Sequence, residues 1–158
     1  MIFTLQHKGM TMHKHIKIAL MLIVWGLTTA CYALSPVGTW LTIDDKTGKP
    51  RSTIVITEQN NELVGQLINV IKMPGDTGIC SRCPGQFKDQ KIQGLQILWD
   101  LKKKSDNEYV DGQILDPKSG KIYNCILKLS EDGKSLRLRG YIGIALFGRT
   151  QTWTRVPQ

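Results

Sequence analysis

The strongest constraint on this chain is the regular way short apolar runs alternate with turn chemistry. The runs are Trp40–Ile43, Ser52–Thr57, Leu63–Ile71, Ile97–Leu101, Tyr109–Leu115, Ile122–Leu129, Leu136–Tyr141 and Arg149–Val156. Between most of them stand segments such as Asp44-Asp45-Lys46-Thr47-Gly48-Lys49-Pro50, Asp116-Pro117-Lys118-Ser119-Gly120 and Glu131-Asp132-Gly133-Lys134. Gly, Pro, Asn and Asp reverse a chain for local steric reasons, so even spacing of this kind predicts an all-β, antiparallel up-and-down meander. About eight strands of this type close into a barrel or sandwich. The prolines fall in turns, loops or strand ends, as a ladder of backbone hydrogen bonds requires.

Alternation assigns faces, because successive side chains of a strand point to opposite sides. Tyr123, Cys125, Leu127 and Leu129 share one side, with Asn124 and Lys128 opposite; Leu136 and Leu138 oppose Arg137 and Arg139. The same rule puts Ile97, Trp99 and Leu101 against Gln96, Leu98 and Asp100. Lys88 to Lys104 is the ambiguous stretch: Ile92, Leu95 and Trp99 also fit helical spacing, and Gly94 argues against a helix. The two Asp-initiated, Gly-closed turns lack both the Gly-x-x-x-x-Gly-Lys spacing of a phosphate loop and the acidic ladder of a calcium loop.

Residues 1–33 read differently. Lys8, Lys14 and Lys17 come without an acid, an apolar run spans Ile18 to Leu27, and small residues lead to Cys31-Tyr32-Ala33. That order is the plan of a secretory signal peptide cleaved near Ala33, with Met10 or Met12 as alternative starts. Lipid attachment at Cys31 is the alternative. The run is too short for a transmembrane helix, which needs about 20 apolar residues. The expected organisation is a signal peptide over 1–33 and a single domain over 34–158, in an exported, periplasmic protein. The chain carries +8, and three of those charges are Lys8, Lys14 and Lys17, so +5 remains from Leu34 onward. Lys102-Lys103-Lys104 is the densest cluster, at an expected hairpin end. It reads as a solvated rim, with a surface for phosphate or anionic lipid as the sharper alternative. Nucleic acid is not an expected partner.

The three histidines, His7, His13 and His15, all precede Ala33. The domain itself therefore has no means of building a Ser-His-Asp triad, a Cys-His pair or a histidine metal site. With Met73 the sole methionine after Ala33, a Met-rich copper site is also excluded. No catalytic constellation, metal or cofactor is expected, and Asp44/Asp45 and Asp111/Asp116 read as turn and rim residues. Cys80-Ser81-Arg82-Cys83 lies in a long loop from Lys72 to Gln93. A local disulfide is the default in an oxidising compartment; a metal knuckle and a redox pair remain open. Cys125, on an apolar strand face, reads as a buried free thiol.

Gly38-Thr39-Trp40 near the start of the domain and Arg155 near its end resemble the Gly-x-Trp plus terminal Arg signature of lipocalin-like proteins. In an up-and-down barrel the first and last strands are neighbours, so Arg155 is expected over Trp40, closing one barrel end. Wider stretches resemble one bacterial family of short exported proteins known as an uncharacterised conserved domain. They are Asp116-Pro117-Lys118-Ser119-Gly120-Lys121-Ile122-Tyr123-Asn124-Cys125, Leu138-Arg139-Gly140-Tyr141-Ile142-Gly143 and Leu146-Phe147-Gly148-Arg149-Thr150-Gln151-Thr152-Trp153. The resemblance spans nearly all of Pro36 to Val156. It implies a lipocalin-like barrel in a periplasmic setting, and no activity.

The expected function is non-enzymatic: a periplasmic protein holding a small apolar or amphipathic molecule in the barrel. Trp99, Tyr123, Tyr141 and Phe147 are the candidate lining and Arg149 the candidate anchor for a carboxylate or phosphate head group. The apolar connection Tyr141–Arg149 is expected either to fold back as a plug or to serve as a portal or docking patch. Two other readings stay open. One is an envelope interaction module with a filled barrel; the other is a redox factor using Cys80 and Cys83.

Overall fold

A computed structural model describes residues 34–44 and 47–157 of the chain. The expected signal peptide, with Cys31, Ala33 and the three histidines, lies outside the described residues, as do Asp45 and Lys46. Eight strands follow in order: β1 (Gly38–Ile43), β2 (Pro50–Gln59), β3 (Glu62–Val70), β4 (Gln96–Lys103), β5 (Glu108–Asp116), β6 (Lys121–Leu129), β7 (Ser135–Tyr141) and β8 (Arg149–Arg155). Each pairs antiparallel with its neighbours, and β8 returns to β1, so the sheet is a closed barrel. The expected meander is what forms. Pro50 opens β2, a position where its missing N–H costs no ladder bond. The ambiguous stretch from Lys88 to Lys104 holds no helix; a 3-10 turn at Gly85–Phe87 precedes it, and β4 starts at Gln96. No helix among the described residues is long and apolar enough to cross a membrane.

The inward positions of β6 and β7 are the alternating apolar residues. Cys125, Leu127, Leu129, Leu136 and Leu138 are all buried, while Asn124, Lys128 and Arg137 are exposed. In β4 the alternation misleads. Asp100 adopts φ +61° and Asp111, in the facing part of β5, φ +60°. This left-handed backbone is one that Asp tolerates better than most residues. The extra residue changes the phase of the strand, as a bulge does. Leu98 and Leu101 therefore both face inward, fully buried, and Ile97 and Trp99 lie on the outer face. The expected grouping of Trp99 with Leu101 is corrected by this bulge.

The seam between β1 and β8 is short: Trp40 pairs with Arg155, Leu41 with Thr154 and Thr42 with Trp153. Its strength comes from a single guanidinium. Arg155 lies 4.2 Å over the Trp40 ring. Its Nε donates to Gly133 O at 2.6 Å, and its terminal nitrogens donate to Val37 O at 3.0 Å and to Ser35 O. Trp40 Nε1 in turn donates to Pro36 O at 2.8 Å. Residues 34–37 are thereby folded across this end of the barrel. Gly38, at φ +137°, leaves the space the guanidinium needs, since a Cβ there would stand 2.7 Å from it.

Replacing Trp40 by Ala should lower the unfolding free energy by about 3–5 kcal/mol through the cavity it leaves. Arg155→Lys, which keeps the charge and loses the planar fork, should cost about 1–2 kcal/mol. Urea denaturation of both variants checks this; an Arg155→Lys variant as stable as the parent would show that the clamp is not what holds the seam.

Candidate functional site

The barrel has two unlike ends. Toward the Arg155 clamp the interior is solid. Trp40, Ile54, Ile56, Leu63, Leu101, Leu127, Leu129 and Leu136 are at most 1% exposed. Toward the other end the inward register continues through Thr42, Ser52, Val70, Ile114, Tyr123, Gly140, Arg149 and Gln151. Thr42 and Ser52 form the polar boundary of the floor, their hydroxyls 2.7 Å apart and both buried. Trp153, fully buried, donates from Nε1 to Gln151 Oε1 at 3.4 Å. Above them Val70, Ile114, Tyr123, Gly140 and Gln151 are half-buried, and Arg149 is exposed at the rim. The inward face of this end, the basin, is thus partly solvent-exposed and of mixed lining, while the concave sites beside Val55, Thr57 and Gln66 and along Ile79 to Leu95 lie outside the barrel. At Gly140 a Cβ is tolerated: it would meet Tyr123 Cβ at 3.6 Å and Ile114 at 3.9 Å, ordinary contact distances.

Of the four aromatic residues expected to line the interior, the structure turns one inward. Tyr123 pairs with Ile114 in the basin. Trp99 stacks on Phe87, ring centroids 5.5 Å apart, and donates from Nε1 to Gln113 Oε1 at 2.8 Å, on the outer wall. Tyr141 pairs with outward-facing Asn124. Phe147 is 81% exposed. Arg149 pairs with inward-facing Gly140, at the rim where an anchoring cation was expected. Thr42, Ser52, Gly140 and Gln151, not expected at the site, are marked in the sequence as small or polar residues on the inward register of β1, β2, β7 and β8, and Ile114 joins them from β5.

The connection after β7 does not plug the barrel. Ile142, Ile144, Leu146 and Phe147 are 59–81% exposed. The reason is Arg139, whose guanidinium holds the loop's backbone from behind. Its Nε donates to Ala145 O at 2.7 Å, and its terminal nitrogens donate to Leu146 O at 2.8 Å and Thr150 Oγ1 at 3.0 Å. With the Ala145 and Leu146 carbonyls turned toward Arg139 on the outer face of β7, the Leu146 and Phe147 side chains are left exposed.

The long loop between β3 and β4 is a folded cover on the outer wall. Cys80 and Cys83 are disulfide-bonded, with Cα atoms 5.4 Å apart, and both are buried. The Cys80 sulfur lies 3.6 Å from Pro117 O, and Arg82 packs against Gly120 so closely that no Cβ fits there. Leu115, though on the outer face, is 1% exposed beneath this cover. Arg51 ties the loop's start, donating to Ile71 O at 2.6 Å and pairing with Asp76 at 2.7 Å. Hydrogen bonds from the Met73 backbone and from Arg51 hold the Asp76 carboxyl below its usual range. Cys125 is a free thiol inside the barrel, its pKa pushed up to about 12 by burial.

The model of a family described as "Uncharacterized protein conserved in bacteria (DUF2147)" matches residues 38–155. No curated protein sequence matches the chain. Among solved structures, protein HP1028 of Helicobacter pylori, described as belonging to the lipocalin family, is similar with a TM-score of 0.68 at 21% identity. The similarity covers 78% of this chain and 84% of that one. At that identity the likeness is one of fold.

Cys125 should resist thiol reagents at neutral pH in the native state and react fully once the protein is unfolded. Its raised pKa also fixes a sign. The unfolded thiol ionises near pH 9.0 while the folded one stays protonated to about 12. Stability is therefore full below pH 9 and declines as pH rises toward 12. Burial raises the Tyr109 pKa as well, so its hydroxyl adds to the same decline. Urea midpoints measured across that range should be flatter in a Cys125→Ala variant.

Proposed function

We propose that this chain, which belongs to the DUF2147 family of bacterial proteins and folds as an eight-stranded lipocalin-like barrel, is a non-enzymatic binding protein for a small amphipathic molecule. One observation carries the reading: along the inward register the barrel changes from a sealed apolar floor to partly exposed residues of mixed character. Ligand sites are typically concave, mostly apolar and oriented by a few polar groups. Ile114, Val70 and Tyr123 supply apolar wall; Gln151, Thr42 and Ser52 supply hydrogen-bonding groups; Arg149 supplies a cation at the rim. An apolar tail lies in the basin and an anionic head stays near Arg149. The filled lower half limits the guest to the upper half of the barrel.

An exported, periplasmic setting belongs to the same proposal. The leader over residues 1–33 supports it, and so does the Cys80–Cys83 disulfide, a bond that persists in oxidising compartments. N-terminal sequencing of the exported product should begin at Leu34; a lipid-modified Cys31 would replace cleavage by anchoring.

Native mass spectrometry of the protein purified from its host should show a bound amphipathic molecule. Gly140→Leu fills the basin without steric conflict at Cβ, and should weaken that binding by about tenfold or more while leaving the fold intact. A protein that carries no guest, and takes up no fatty acid or lysophospholipid in titration, would refute the binding reading.

A further inference from the structure

The β7–β8 loop is a built projection, and the proposal drawn from it does not depend on whether a guest occupies the basin. Leu146 is 75% exposed and Phe147 81%, with Ile142 and Ile144 beside them. Soluble proteins rarely leave contiguous apolar patches of this sort in water unless they contact something. A mobile loop would shield such side chains by collapsing, and the two hydrogen bonds from Arg139 to the Ala145 and Leu146 carbonyls prevent that.

The charge around the loop states what it contacts. Four connections stand at the open end of the barrel: β1–β2, β3–β4, β5–β6 and β7–β8. In the cyclic strand order the apolar loop lies between the β5–β6 turn, with exposed Lys118 and Lys121, and the β1–β2 turn, with exposed Lys49. Arg149 follows it directly, and Lys72 stands across the basin beside exposed Ile71 and Met73. The described acids of these connections, Asp44, Asp76, Asp89 and Asp116, are outnumbered by the Lys and Arg residues of the same segments, and Asp44 accepts from Thr47. Asp76 pairs with Arg51, and Asp116 accepts from Ser119 Oγ at 2.7 Å and the Lys118 N–H at 3.0 Å.

The opposite end has the reverse character. Lys102, Lys103 and Lys104 face Glu62, Asp106 and Glu108 at 3.8, 3.3 and 3.3 Å. Glu58, Glu131 and Asp132 add to the acids there. The lysine run that stands out in the sequence is thus locally balanced, and the net positive field belongs to the end that carries the apolar side chains.

An apolar tip within a ring of cations matches the layered chemistry of a bilayer surface, apolar chains beneath anionic head groups. Basic residues near such a surface each add about 1 kcal/mol of attraction. Buried apolar side chains add more, in proportion to their area. We infer that the open end of the barrel docks on an anionic lipid bilayer, with Leu146 and Phe147 entering the interface and Lys49, Lys72, Lys118, Lys121 and Arg149 meeting the head groups.

The test is position-specific fluorescence quenching on the full chain. Phe147→Trp puts a fluorophore at the tip with little change in size, and Glu131→Trp puts one at the other end as a control. Each is read as the difference from the wild-type chain, so Trp25, Trp40, Trp99 and Trp153 and any contribution of the leader cancel. Vesicles of phosphatidylethanolamine with brominated acyl chains are used with and without phosphatidylglycerol.

The expected result is strong quenching of the added signal at position 147 on phosphatidylglycerol-containing vesicles, and none at position 131. Replacing both Leu146→Asp and Phe147→Asp should weaken partitioning by about tenfold or more. Absence of quenching at position 147, equal quenching at position 131, or quenching that needs no anionic lipid would each overturn the inference. Crosslinking of Phe147 to a protein partner without quenching would overturn it too. Loss of the guest in the mass spectrum would leave it standing.

Discussion

The stacking of Arg155 on Trp40 is the contact on which the closed sheet depends. An open eight-stranded sheet would expose two unpaired edges and one apolar face to water. Here β1 and β8 share only three paired positions, and the guanidinium compensates for the brevity of that seam. It is bonded to the first segment of the domain, through Ser35 and Val37, and to the β6–β7 turn, through Gly133. One side chain thus fastens the beginning, the end and an intervening turn of the chain. The sealed floor above it follows, because the inward residues of every strand converge on an end that water does not enter.

The functional reading grows from what this clamp leaves over. With one end sealed, all exchange with the surroundings falls to the other, and its four connections differ in kind. The β3–β4 loop is stapled by its disulfide and packed on the outer wall, where it hides Leu115 and supports Trp99. The β5–β6 turn is braced against it through Gly120. The β7–β8 loop is held from behind by Arg139 and offers its side chains outward. Rigid support under an exposed apolar tip separates this loop from an ordinary surface connection.

Much of the architecture was legible in the residue pattern, for identifiable reasons. Alternation in β6 and β7 is uninterrupted, so Cys125, Leu127, Leu136 and Leu138 could be placed inside directly. The Trp40–Arg155 contact followed from the neighbourhood of first and last strands. Trp99 was misplaced because a bulge at Asp100 changes the phase of β4, and an aspartate with φ +61° leaves no mark in a hydropathy pattern. The β7–β8 loop was hard to read for a different reason. Its composition says apolar, while the direction of its side chains is decided by Arg139, on a neighbouring strand and six to eleven residues away from its partners. The basin was missed because its residues are small or polar. Attention to aromatic side chains passed over Thr42, Ser52, Gln151 and the absent side chain of Gly140.

The position of Arg155, in the last strand of the barrel, has a consequence for how the sheet comes to be shut. Synthesis runs from the N-terminus, so β1 is made first and its sealing partner last. Until β8 has arrived, the sheet keeps two raw edges and cannot shut. Pairings between distant parts of a sequence form slowly, and unpaired strands are sticky while they wait. A barrel fastened by its last strand therefore has its time of greatest vulnerability before that strand is in place, and a chain broken just short of Arg155 would keep nearly all its strands yet lack the bolt.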